Sequence, residues 1–323
     1  MNKQKVRAYT NIALIKYWGK RDEALMLPTS SSLSLTIDAL YTDTSVELNP
    51  SLEQDIFYLN GVKQNEQETE KVTKFIDLFR KEAGTITKVL IESVNHVPTA
   101  AGLASSASGF AALAGASNLA YNLNLNNQDL SRFARRGSGS ATRSIYGGFV
   151  EWQMGTSDLD SYATPIDEAN WGIVMIIVVI NKKQKAISSR EGMKRTVSTS
   201  PFYQGFIESS KIDLIQIKAA IYNHDFEQMG LITERNSLKM HGTMLGANPP
   251  FSYWEPDSVR VMQLVHTLRR QGYQCYFTMD AGPNVKILCK ENEWQLIVKA
   301  LKEIVHEENI IITHPGPGIQ VLK

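Results

Sequence analysis

The first segment with chemical content is Thr10–Lys20, TNIALIKYWGK. Its apolar run, Asn11–Ile15, ends abruptly in Lys16, Tyr17, Trp18, Gly19 and Lys20. Two ammonium groups and two large aromatics around a glycine suit an anion gripped at a strand end. The plainer account is a strand end with snorkelling lysines. In Pro98–Ser108, PTAAGLASSAS, a proline breaks a strand and small residues lead into an alanine-rich helix. Small side chains let backbone N–H groups approach a ligand, and a helix N-terminus favours negative charge. Ser105, Ser106 and Ser108 add hydroxyls for phosphate oxygens or Mg²⁺, while the absence of GK[ST] excludes a Walker loop. An alanine-rich helix packed tightly in a core accounts for the same residues equally well.

Gly137–Gly148, GSGSATRSIYGG, alternates glycine and serine before the lone Arg143. Hydroxyl, backbone and guanidinium donors of this kind suit an oxyanion. A flexible turn with a surface arginine is the alternative, although the strand-like residues after it hold the turn on both sides. Thr278–Ile287, TMDAGPNVKI, ends a strand at Asp280 before a tight turn. A carboxylate there can accept a proton or orient a hydroxyl, and taken alone it reads better as an Asx-turn or cap. Ile187–Met193, ISSREGM, brings Ser189 and Arg190 after Lys182, Lys183 and Lys185. These suit either a phosphate or a solvated loop.

Positioning these groups requires a mixed scaffold. Strands are expected at 6–8, 11–15 and 33–40, with 42–48 as an antiparallel continuation, and then at 56–59, 88–95, 149–154 and 171–180. Helical spacing is visible over 66–83, with Val72, Phe75, Ile76 and Phe79 on one face, and over 129–136. The second half predicts helices at 201–210, 213–223, 225–246, 257–271 and 293–307. Its strands are expected at 274–279, 285–288, 310–313 and 318–322, the last two as a closing pair. Clustered strands separated by helices indicate an α+β class rather than regular βαβ alternation. The lobe boundary is expected near Asn181–Lys185, giving lobes 1–184 and 185–323.

A chain of 323 residues suffices for one two-lobed domain or two domains. With 34 basic and 33 acidic residues the net charge is +1, which argues against a general nucleic-acid binder but not against a local basic pocket. The two cysteines, Cys275 and Cys289, form no disulfide framework and fit a reducing cytoplasm. The six histidines are scattered without zinc-site spacing. The longest apolar run, Trp171–Ile180, is too short to cross a bilayer, and no signal peptide is evident.

The segment Pro98-x-x-x-Gly102-Leu103-Ala104-Ser105-Ser106-Ala107-Ser108 resembles the phosphate loop of the GHMP kinase superfamily, with Ala104 where that superfamily usually has glycine. All five segments, in this order, resemble the diphosphomevalonate decarboxylase branch from the N-terminus to at least Asn284. The resemblance implies a two-lobed GHMP-kinase-like α+β fold. Its N-terminal lobe would be like ribosomal protein S5 domain 2, its C-terminal lobe ferredoxin-like, with the site in the cleft between them. It implies ATP- and Mg²⁺-dependent phosphorylation of the 3-hydroxyl of mevalonate diphosphate, then loss of phosphate and CO₂ to give isopentenyl diphosphate, in a cytoplasmic homodimer.

By the same resemblance, Asp280 orients or deprotonates the hydroxyl, Lys16 lies beside it, and Arg143 binds the substrate carboxylate. Tyr17, Gly19, Lys20, Ser138, Gly139, Ser140, Ala141, Thr142, Ser189, Arg190 and Met193 surround the diphosphate and carbon chain, and Trp18 packs the loop. Pro98, Ala101, Gly102, Leu103, Ala104, Ser105, Ser106 and Ser108 wrap the nucleotide, with Ser106 nearest Mg²⁺. Ser93 and Asn95 line an adenine pocket and Lys185 closes over the phosphates. The competing expectations are a mevalonate, phosphomevalonate or homoserine kinase, a phosphomevalonate decarboxylase, a mevalonate 3-kinase, and a nucleotide sensor without catalysis.

Overall fold

The computed structural model describes residues 4–96, 105–181 and 186–322. Strand β1 (Lys5–Ile15) runs unbroken where two strands were expected. A short hairpin follows, β2 (Lys20–Asp22) with β3 (Leu27–Pro28). Strand β4 (Ser32–Leu48) is continuous over 17 residues, not a strand and its antiparallel return. The physical reason is local: residues 40–42 are Leu-Tyr-Thr, with none of the Gly, Asn or Pro that a reversal requires. β1 follows β4 along its length, with a register shift between Tyr9 and Asn11.

β5 (Ile56–Leu59) and β6 (Val62–Lys63) form a hairpin that leads into α1 (Glu66–Ala83). Asn65 caps α1 by accepting from the Glu68 amide, and Gly84 closes it in the left-handed conformation at φ 63°. β7 (Val89–His96) pairs with β4 and α2 (Ser105–Ala120) packs over the sheet. α2 is rich in alanine because it is covered on several sides: Ala107, Ala111, Ala112 and Ala114 are wholly buried. α3 (Asn127–Gly137) runs into a 3₁₀ segment, Gly139–Ile145. β8 (Phe149–Trp152) then pairs with β4 and with β9 (Ala163–Asp167), a strand that its short TPID sequence did not suggest. The first sheet has the order β1-β4-β7-β5-β6, with β8 and β9 branching from β4.

The second sheet is built from β10 (Ile173–Val178), β11 (Cys275–Met279), β12 (Val285–Lys290) and β13 (Ile310–Thr313), in the order β11-β12-β10-β13. Helices α4 (Ser189–Thr199), α5 (Tyr203–Tyr222), α6 (Phe226–Leu245), α7 (Pro256–Arg270) and α8 (Trp294–Leu301) surround it. The expected pair 201–210 and 213–223 is the single helix α5, because no glycine or proline separates them. The helix expected to reach Glu307 stops at Leu301. The tail does not form a pair with itself: β13 joins the second sheet, while β14 (Gln320–Leu322) returns to β1 in the first. The division 1–184/185–323 does not follow the sheets either, since β10 lies in the second.

One core lies between the sheets, where Ile12, Leu14, Leu33 and Leu35 meet Met175, Ile177, Ile217, Ile221, Ile232 and Leu288. Separate cores lie beneath α1–α3 and beneath α7 and α8. A fourth places Trp18 against Tyr203, Phe206, Met240 and Met244. The end of β1 is thereby anchored by both halves of the chain.

Candidate active site

A cleft of about 470 Å³ opens where β1 leaves the inter-sheet core. All five segments reach it. Lys16, Tyr17, Trp18 and Lys20 come from the end of β1 and the turn after it, Ser106 from α2, and Ser138, Gly139, Ser140 and Arg143 from the turn after α3. Ser189, Arg190 and Met193 come from α4, and Asp280 follows β11. The ISSREGM segment is thus no loop: Ser188 caps α4 by accepting from the Glu191 amide. The beginnings of α2 and α4 both border the cleft, and a helix N-terminus favours anions.

Among the lining residues, Lys16, Lys20, Arg143 and Arg190 face one carboxylate, Asp280. Lys16 is only 1% exposed, and its ammonium donates to the Ala13 carbonyl at 2.7 Å and to Asp280 Oδ1 at 2.7 Å. Burial lowers its pKa to about 8 against the opposing pull of Asp280. Burial by itself would raise the Asp280 carboxyl; the charges and hydrogen bonds of Lys16 and Lys286 reverse this and hold it well below the usual carboxylate range. The Asp280 side chain nevertheless keeps 32% of its surface accessible. It is therefore an ionised acceptor open to the cleft.

Arg143 is 2% exposed and, among the described residues, makes no ion pair. Its Nε donates to Asn11 Oδ1 at 3.3 Å and its Nη1 to Ser32 Oγ at 2.6 Å. Asn11 is itself fixed, donating to the Ser140 carbonyl at 2.9 Å and Ser144 Oγ at 2.7 Å. Burial lowers the guanidinium to about 10, so it remains charged at neutral pH. A charge buried with only neutral acceptors is costly unless a ligand compensates it.

Backbone proximity shapes the rest. A Cβ at Gly139 would lie 2.8 Å from the Tyr17 ring and 2.9 Å from Trp152. Gly19 sits at φ +127°, and a Cβ there would lie 1.8 Å from the Tyr203 hydroxyl. That hydroxyl donates to the Trp18 carbonyl at 3.0 Å and shares a hydrogen bond with Thr29 at 2.6 Å, fixing the turn. The Tyr17 hydroxyl is buried and has no hydrogen-bond partner among the described residues, and burial raises its pKa. Ser138 Oγ lies 3.4 Å from Ser106 Oγ and 3.3 Å from Ser140 Oγ, giving a hydroxyl cluster between α2 and the 3₁₀ segment.

Not every expected residue is brought here. Ser108 is two positions beyond Ser106, on the opposite helix face. Its buried hydroxyl meets Thr42 at 2.8 Å and Thr10 at 3.4 Å, so it joins β4 and β1 instead of the cleft. Strand alternation turns Ser93 to Thr44, at 2.8 Å, and Asn95 accepts from Thr42 at 2.9 Å; neither lines the cleft. Ala141 and Thr142 are buried beneath the turn, with Thr142 Oγ1 donating to the Gly139 carbonyl at 2.8 Å. Pro98, Ala101, Gly102, Leu103, Ala104 and Lys185 lie outside the described residues, as does the Ser105 side chain.

Asn11, Met26, Phe110, Met240 and Lys286 were not singled out by their sequence. Asn11 and Lys286 stood within quoted segments, but an asparagine in an apolar strand and a lysine after a turn carry no distinctive local signal. Asn236 is another: its Oδ1 accepts from the Lys16 amide at 2.8 Å, linking α6 to β1.

Residues able to hold a metal can be tested directly. No group of three or more His, Cys, Asp or Glu among the described residues could hold a metal ion. Mg²⁺ often keeps its waters and binds through substrate phosphates with few protein ligands, so the Ser106 hydroxyl on the wall of the cleft fits it.

Comparison with known proteins agrees over nearly the whole length. Residues 8–163 match the diphosphomevalonate decarboxylase-like N-terminal domain, and residues 175–316 match the mevalonate 5-diphosphate decarboxylase C-terminal domain. A diphosphomevalonate decarboxylase of Candida albicans is 37% identical over 98% of this chain and 96% of its own. The solved mevalonate diphosphate decarboxylase of Staphylococcus aureus is 50% identical, with a TM-score of 0.96 over 99% of this chain and 98% of that one. A protein called MDDEF, solved in complex with MVAPP, AMPPCP and magnesium, is 52% identical, with a TM-score of 0.95 over 99% of both chains. Sequence profile, relatives and fold converge on a single assignment: the chain belongs to the diphosphomevalonate decarboxylase family.

Proposed function

We propose that this chain converts (R)-5-diphosphomevalonate, with ATP, to isopentenyl diphosphate, ADP, phosphate and CO₂, a step of the mevalonate route to isoprenoids. The observation that carries the residue assignment is the buried Arg143 guanidinium, without an ion pair among the described residues, facing the same cleft as one ionised carboxylate. A substrate that carries a carboxylate and a tertiary hydroxyl on neighbouring carbons explains both. Its carboxylate answers Arg143 by a two-point contact, and its tertiary hydroxyl donates to Asp280. Lys16 keeps Asp280 charged and fixes the oxygen that receives the hydroxyl.

Lys20, Arg190, Ser138, Ser140 and Ser189, with Tyr17, the Gly139 backbone and Met193, hold the diphosphate and carbon chain. Ser106, at the beginning of α2, faces the nucleotide phosphates and would hold Mg²⁺, which when bound neutralises phosphate charge. Alignment of the hydroxyl with the γ-phosphate is the chain's main contribution, since phosphoryl transfer depends on positioning and charge. After transfer, the C3–O bond breaks to release phosphate, and the C–C bond to the carboxylate supplies the electron pair of the new double bond.

The solved neighbour with MVAPP, AMPPCP and magnesium supports the ligands, since AMPPCP is an ATP analogue. No helix among the described residues is long and apolar enough to cross a membrane. Two buried, unpaired cysteines support a cytoplasmic setting. A homodimer is supported by part-exposed Leu231, Leu238 and Leu245, spaced by seven on α6 beside exposed Ile212 and Ile215 on α5. Offering ATP with mevalonate, its 5-phosphate or its 5-diphosphate tests the substrate. ADP should form efficiently only with the diphosphate, and equal rates on the monophosphate contradict the proposed diphosphate grip.

A further inference from the structure

Asp280 is held from both sides. Opposite Lys16, the Lys286 ammonium lies 3.1 Å from Asp280 Oδ2. Lys286 also donates to the Asn284 carbonyl at 3.2 Å. It is 2% exposed and is not among the residues lining the cleft. Its place on β12 is unusual for a charge. Val285, Ile287 and Cys289 point into the core beneath α7 and α8, while Leu288, two positions beyond Lys286 on the opposite face, enters the core between the sheets. The register sets Lys286 between Ile177 of β10 and Thr278 of β11. An apolar residue would satisfy that position at lower cost, because a buried ammonium is expensive unless it is paired. Among the described residues, Asp280 is its carboxylate partner.

We propose that Lys286 is a positioning residue for the reaction, fixing the second oxygen of Asp280 and keeping that carboxylate ionised and aimed at the substrate hydroxyl. The inference rests on the assignment of Asp280 to that hydroxyl. Two ammonium donors weaken the carboxylate as a base, so Asp280 aligns the hydroxyl instead of storing its proton. The charged and titratable groups around Asp280 are Lys16 from β1, Lys286 from β12, Arg143 from the 3₁₀ segment and His241 from α6. Burial lowers His241 to about 3, leaving it neutral, so the lysines and Arg143 supply the field.

The test is the pH profile of Lys286→Met and Lys286→Arg, read beside Asp280→Asn. Activity requires ionised Asp280 and is lost as pH falls through its pKa. In the parent enzyme that loss lies below the range of assay; removing one cation raises the pKa and moves the acid limb upward. Lys286→Met should lower kcat about tenfold or more near neutrality and move the acid limb upward, toward the ordinary carboxylate range, with KM for ATP within about twofold. Lys286→Arg should keep the limb where it was.

A Met variant with the parental profile and kcat overturns the proposal, as do Met and Arg variants that fall equally with the same profile. If Lys286→Met does not fold, Lys286→Gln repeats the test while keeping a donor for Asn284. If neither folds, Lys286→Arg decides: an unshifted limb supports the proposal, and a limb entering the range despite the retained charge overturns it. Full turnover by Asp280→Asn instead removes Asp280 from the hydroxyl, a separate failure. An inactive Asp280→Asn with a parental Lys286→Met defeats this inference alone.

Discussion

At the scale of single residues, a few charges placed out of water set the chemistry. Asp280→Asn should lower kcat by roughly 10²–10⁴-fold while ATP affinity stays close to parental, measured by steady-state kinetics and nucleotide titration. Near-normal turnover would take Asp280 out of the reaction. Lys16, lowered to about 8, predicts a basic limb. As pH rises through that value the ammonium loses its proton, Asp280 loses a partner, and kcat/KM falls. Lys16→Arg should move this limb well upward, because guanidinium stays ionised; an unchanged limb assigns it to another group. Much of the grouping of these side chains around one cleft was legible in the sequence, since a lysine ending an apolar run and an arginine in a glycine–serine turn are conspicuous. Ser108 and Ser93 show where legibility ends: their residue types suggest a ligand, but helix and strand periods turn their hydroxyls to Thr42 and Thr44.

Elements act by bringing backbones close together. The 3₁₀ segment starts at Gly139, whose missing side chain lets Tyr17 and Trp152 approach to a tilted contact of 4.8 Å between ring centroids. Gly139→Ala should therefore cost about 1–3 kcal/mol and raise KM for the diphosphate substrate more than KM for ATP. Thermal melting together with kinetics checks this, and unchanged values would mean that Tyr17 yields without consequence. Helices with caps were readable: the apolar face of Val72, Phe75, Ile76 and Phe79 marks α1, and its buried side is the expected one. β4 was not, because a 17-residue strand shared between two pairing environments looks locally like two strands. α4 was hidden because its first turn, Ser-Arg-Glu-Gly, is polar throughout and resembles a loop.

The whole molecule is joined by strands that cross between its sheets. β10 enters the second sheet before the expected boundary, and β14 returns to β1 after β13 has joined β10. Such pairing is non-local and leaves little trace in sequence, whereas the α+β class follows from the order of elements. Removing residues 320–323 strips β14 from β1, which pairs with it from Lys5 to Arg7. Melting should fall by several degrees, about 1–2 kcal/mol of stability, while KM changes little because this edge is at the far end of β1 from Lys16. An unchanged melting temperature would show that the closing strand contributes nothing to cohesion. The central claim concerns coupling, with one cleft both using ATP and breaking a carbon–carbon bond. Counting ADP and CO₂ in the same reaction with mevalonate diphosphate tests it most directly. Equal yields of the two are the predicted result; ADP formed without CO₂ would contradict it and identify a kinase.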